Sequence, residues 1–145
     1  MNTKGFTLIE LTIIFSVIAI LSVIGLSISI DYNRSQVLNA AYEELKTTLN
    51  TAKSRALSQN KPCTGTVIGH QVYIAGTTQY RLQAVCSVDT ISKSFNLPRD
   101  LSFTSPIPAT VSFPVLTGGS SGGTITITGY NKSKTVTVDT AGNIQ

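Results

Sequence analysis

The pattern of apolar positions changes character twice along the chain. From Phe6 to Ile30 almost every side chain is apolar, and Glu10 is the sole charge inside the run. From Val37 to Ala56 apolar residues recur every three or four positions. Val37, Ala41, Leu45, Leu49, Ala52 and Ala56 carry this spacing, with Glu43, Glu44, Lys46, Lys53 and Arg55 interleaved. Such spacing predicts an amphipathic helix with one apolar face. No proline precedes Pro62. One helix of about 50 residues is therefore expected, closed by Asn60-Lys61-Pro62, because proline disfavours helix in the residue before it. Gly25 and Ser27 are its weak points, where a kink or melted turn would fall.

Beyond Pro62 the period shortens to two. Residues 66–75 read as two short strands turned at Gly69-His70, and residues 79–85 alternate polar and apolar. Further strands are expected at 91–97, 101–104 and 110–115, bounded by prolines 98, 106, 108 and 114. Residues 117–123, rich in glycine and serine, read as a flexible loop. Residues 124–128 and 135–138 form a hairpin through Gly129 to Lys134, and Gly142-Asn143 turns Ile144 back for one last pairing. One long helix followed by strands gives an α+β fold, the helix packed on a mostly antiparallel sheet domain. The expected organisation is a leader at 1–5, a membrane-spanning half-helix at 6–30, an amphipathic half at 31–61, and a β-rich domain at 62–145.

The apolar run is long enough to cross a bilayer. Lys4 before it favours a cytoplasmic N-terminus, with Asp31 onward outside the cell membrane. An ordinary secretory signal has a shorter apolar core with a small-residue cleavage site after it; here the small residue, Gly5, comes before. A simple signal anchor would explain the hydrophobicity but neither Glu10 nor the short leader. A carboxylate in lipid costs roughly 2.5–3.5 kcal/mol at a helix centre, so Glu10 marks a function. Ser16, Ala19, Ser22, Gly25 and Ser29 would let helices approach closely.

Composition adds limits. The chain has 145 residues and a net charge of +4. That length fits one domain, and the charge is too mild and scattered to argue for nucleic acid or anionic lipid. Cys63 and Cys86 lie after the apolar run, and His70 is the one histidine, so a zinc site is not supported. The cysteines read either as one disulfide of a secreted domain or as two small buried residues. His70 is expected on the surface, in the Gly69-His70 turn. Glu43 and Glu44, adjacent on a helix, should point apart, and no nucleophile–base pair presents itself. The loop from Gly118 to Gly123 is followed by no lysine and opens no helix, so it is no phosphate loop. No enzyme activity and no cofactor are expected.

Residues 5–11, Gly-Phe-Thr-Leu-Ile-Glu-Leu, resemble the signal of type IV pilins and their pseudopilin relatives. The resemblance implies a prepilin, cut between Gly5 and Phe6, N-methylated on Phe6, and assembled into a filament. One membrane enzyme, the prepilin peptidase and methyltransferase, would do both, and an inner-membrane platform would assemble the subunits. In that family the glutamate, here Glu10, pairs with the Phe6-type amine of a neighbouring subunit, which would return part of the desolvation cost of both charges. The downstream order of elements resembles H-type minor pseudopilins of type II secretion and FimT-like minor pilins, which have the pilin fold with two packed sheets. Val136, Val138 and Gly142 match their Val-x-Val-x-x-x-Gly ending, and Ala52-Lys-Ser-Arg-Ala-Leu57 their helix end. These resemblances imply a structural subunit of a secretion or pilus filament. The alternative is a pilus-associated receptor for DNA uptake. Lys132 and Lys134 are the one cationic cluster near the C-terminus, and two lysines release too few counterions for strong binding.

Overall fold

The computed structural model describes residues 7–104 and 109–145, and for 23–28 the helical backbone alone. The element order is α1 (Leu8–Leu57), β1 (Val67–Ile74), β2 (Gln79–Cys86), β3 (Thr90–Asn96), β4 (Ser102–Thr104), β5 (Ala109–Pro114), β6 (Gly123–Gly129) and β7 (Lys132–Val138). The architecture is α+β. Two compact units are distinguished, Met1–Ser35 and Gln36–Gln145.

In the first unit the helix carries its apolar side chains bare. Leu8, Ile9, Ile13, Phe15, Ile20 and Leu21 are all exposed. Among the described residues no helix is long and apolar enough to cross a membrane; the expected span at 6–30 includes Phe6 and residues 23–28, which lie outside that description. The expected melted turn at Gly25 and Ser27 is not found: the helical backbone runs through both positions.

In the second unit the same helix buries one stripe: Leu38, Ala41, Leu45, Leu49, Ala52 and Ala56. Leu38, not Val37, leads it; Val37 sits half-buried at the margin. Against the stripe pack two antiparallel sheets, ordered β3-β2-β1-β5 and β4-β6-β7. Alternation places Tyr80, Leu82, Val72, Ile74, Val111 and Phe113 of the first sheet in one core with Phe103, Ile125, Ile127, Val136 and Val138 of the second. Tyr80 stacks on Phe95 with centroids 5.1 Å apart and meets Phe103 edge-on at 5.8 Å.

Several expectations are corrected. The helix ends at Leu57, earlier than 61. Gln59 takes a left-handed φ of 50°, Asn60 N–H donates to Arg55 O at 3.0 Å, and Gln59 N–H to Ala56 O at 3.4 Å. These two bonds satisfy the last carbonyls and turn the chain before Pro62 can act. Residues 67–74 form one strand, not two. Gly69 marks a bulge in the pairing with β2 rather than a turn. The β6–β7 turn is only Tyr130-Asn131, both at positive φ, and Lys132 and Lys134 belong to β7. The Gly-Ser loop is tied down: Ser120 N–H donates to Thr140 O at 3.0 Å and Ser120 Oγ to Asp139 O at 2.6 Å.

Candidate functional site

The helix start carries the carboxylate singled out above. Glu10 N–H donates to Thr7 Oγ1 at 3.3 Å, so Thr7 caps the helix and Glu10 occupies its third position. An acidic side chain in a first turn also meets the positive end of the helix dipole. This local role was readable in the Thr-x-x-Glu spacing and was missed. The Glu10 side chain is exposed. Gly5 and Phe6, the expected cleavage and methylation positions, lie outside the described residues. The hydroxyls that follow are satisfied within the helix. Thr12 donates to Ile9 O, Ser16 to Ile13 O and Ser22 to Ile18 O, at 2.7–2.9 Å. Such back-bonding means that the hydroxyls of Thr12, Ser16 and Ser22 need no outside partner in an apolar setting.

The helix exit is held covalently and by one buried ring. Cys63 and Cys86 are joined by a disulfide, which ties the segment after α1 to the end of β2. Asp89 lies beside them, but both sulfurs are consumed in the bond, so the cluster offers a metal no thiolate. His70 is buried, not on the surface as expected, because it shares a β1 face with Val72 and Ile74. Its Nε2 lies 3.1 Å from Asn60 O. A carbonyl only accepts, so the proton sits on Nε2, and Nδ1 is buried with no partner among the described residues. Burial lowers the pKa of the ring below 6.5; the Asn60 bond opposes this and nearby Arg55 reinforces it.

The C-terminus locks onto the helix. Lys53 Nζ donates to Gly142 O at 2.9 Å. Gly142 has φ +80°, and a Cβ there would collide with Gly118 O. Asp139 Oδ1 accepts from Asn143 N–H at 2.7 Å and Oδ2 from the Asn143 amide at 2.8 Å; these bonds hold its carboxyl below the usual carboxylate range. With Val136 and Val138 buried beneath, every fixed position of the Val-x-Val-x-x-x-Gly ending has a physical task.

The remaining polar groups are dispersed. Glu43 and Glu44, expected to diverge, both border a cleft of about 470 Å³ with Arg55, Lys93, Leu82 and Phe95. Lys134 Nζ lies 4.8 Å from the centroid of the Tyr42 ring, with Lys46 at 5.9 Å on the same ring.

A family model described as Type II transport protein GspH matches residues 41–142, more than half of the chain. The match begins after the N-terminal signal and ends on Gly142, so it rests on the amphipathic half-helix and the sheets. No curated protein and no solved structure matches the chain. On that match, and with the helix-on-two-sheets fold closed by its valine–glycine ending, the chain belongs to the GspH family, the minor pseudopilins of type II secretion.

Proposed function

We propose that the chain is a structural subunit of the type II secretion pseudopilus, stored in the inner membrane and assembled through its first half-helix. One observation carries this reading. Ten large apolar residues between Leu8 and Leu21 are exposed, from Leu8 at 81% to Ile14 at 42%. Burying each of these side chains is worth roughly 1.5–3 kcal/mol. A surface of this kind calls for lipid before assembly and for neighbouring helices after it.

Prepilin peptidase cuts between Gly5 and Phe6 and the new Phe6 amine is methylated, which removes the leader and places a cation near the helix start. Glu10 then supplies the counter-charge to the Phe6 amine of an adjacent subunit and sets axial register, since an unpaired carboxylate among apolar helices is costly. The outer domain, 62–145, lies outside the membrane and works as a structural body rather than a catalyst.

Two measurements test this. Mass spectrometry of the native protein should find methylated Phe6 at the N-terminus, and Gly5→Leu should leave the precursor uncut. Tagged Glu10→Val should mature normally yet fail to co-purify with sheared filaments. Maturation of Gly5→Leu, or incorporation of Glu10→Val at the wild-type level, would overturn the reading.

A further inference from the structure

Sheet edges offer unpaired backbone groups, and proteins normally cover them. Among the described residues, three of the four edges have at least one outward-facing residue bonded. On β5, Ser112 N–H donates to Ser121 Oγ at 3.1 Å and Ser112 O accepts from Ser121 N–H at 2.9 Å. On β7, Thr137 exchanges two bonds with Gln145 at 3.1 and 2.9 Å. On β4, Phe103 N–H donates to Thr77 O at 2.7 Å. β3 differs. Leu97 N–H donates to Thr78 O and Cys86 N–H to Asp89 O, which fixes the ladder phase: Ile91, Lys93 and Phe95 bond inward to β2. Thr90, Ser92, Ser94 and Asn96 turn their backbone groups outward, where no described residue meets them. The strand spans seven residues and is the most exposed in the molecule.

Side chains on this edge state what would fit. Lys93 and Phe95 lie opposite Leu82 and Tyr80, facing the cleft bordered by Glu43, Glu44 and Arg55. Lys93 Nζ rests 5.1 Å from the Phe95 centroid and forms no ion pair; the single ion pair among the described residues is Arg34–Asp31. Ser92 and Ser94, small and on the opposite face, leave room for a close neighbour. Exposed Val88 and Ile91 add apolar area at the hairpin end.

We propose that β3 is completed by an extended segment of a neighbouring pseudopilin subunit, bearing a carboxylate opposite Lys93. This rests on the pseudopilus reading above and names one of its contacts. Free groups in strand geometry select a strand, because a helix has no backbone groups to give. The unpaired ammonium at the strand centre selects an acidic residue. A second copy of this chain fits less well, since antiparallel pairing centred on Lys93 sets two ammonium groups face to face.

The full chain, co-expressed with the other pseudopilins of its secretion system and extracted in mild detergent, provides the test by amide hydrogen exchange. In the complex, exchange across 90–96 should slow at least tenfold relative to the chain alone. Ser94→Pro removes an outward N–H without touching the β2 ladder; it should abolish the slowing while the exchange of β1 and β2 stays unchanged. Lys93→Glu, which keeps the backbone intact, should weaken the complex about tenfold, and reversal of the partner's acidic residue should restore it. A complex whose 90–96 amides exchange as in the free chain overturns this inference and leaves the pseudopilus reading standing. Protection arising from a homodimer overturns it as well. Absence of any complex overturns both.

Discussion

Two stretches of one helix meet opposite surroundings. Residues 8–22 show apolar side chains all round, with hydroxyls bonded to their own backbone and one carboxylate at the start. Residues 38–56 confine their apolar groups to one stripe, and that stripe is almost wholly buried by sheets of the same chain. The first stretch must find its solvent elsewhere; the second brings its own. The periods differ accordingly, since an all-round apolar helix suits lipid or a bundle core and a striped one suits a domain surface. Stability of the outer domain should therefore depend on one stretch and ignore the other.

The strongest way to break this contrast is a matched pair of truncations. Leu49→Ala should cost the outer domain about 2–5 kcal/mol, because Leu49 is wholly buried. Ile13→Ala should change that stability by less than about 0.5 kcal/mol. Denaturant unfolding of the detergent-solubilised chain, followed by a signal from the sheets, measures both, and equal losses would erase the distinction.

The helix exit comes next. Replacing Cys63 and Cys86 together by serine should cost about 3 kcal/mol, the chain-entropy value for a loop of this size. Thermal unfolding with and without reductant should show the same loss for the wild type and none for the double variant. A smaller effect is expected at the C-terminal lock. Gly142→Ala forces a side chain into a left-handed conformation against Gly118 O, at about 1–3 kcal/mol, and frees Lys53 from its carbonyl. Hydrogen exchange in the last turns of α1 should rise with it.

The smallest effect depends on pH. The folded-state pKa of His70 lies below its unfolded value of 6.5, so the unfolded chain takes up a proton that the folded one resists. Stability should be full above pH 6.5 and decline as pH falls below it, by at most about 1.4 kcal/mol per pH unit. His70→Gln keeps a donor toward Asn60 and should flatten the curve; an unchanged slope would place the acid sensitivity elsewhere.

Much of the fold was legible because its signals are local. The three-and-four spacing from Ala41 to Ala56 and the strict alternation of β6 and β7 depend on nothing remote. What escaped depends on distant partners. Gly69 reads as a turn in isolation and becomes a bulge only because β2 and β5 pair on both sides of it. His70 then follows the parity of Val72 and Ile74 into the core, a parity present in the sequence but hidden by the assumed turn. The stop at Leu57 came from the left-handed Gln59, which no glycine announced. The register that pairs Lys132 with Gly129 lengthened the last hairpin and cut its turn to two residues. At the helix start the capping spacing of Thr7 and Glu10 was plain in the chain, a local bond to the Glu10 backbone N–H that needs no remote partner.

The disulfide also has a mechanical meaning. Cys63 follows the last helical residue by only six positions, and Cys86 ends a strand bonded on both sides. Tension applied along α1 therefore passes through covalent bonds into the middle of the four-stranded sheet. The twenty-odd residues between the cysteines, which include all of β1, stand outside that load path. A pull on the helix thus enters the sheet at Cys86, the end of a strand held by a neighbour on each side, without first having to peel β1 away.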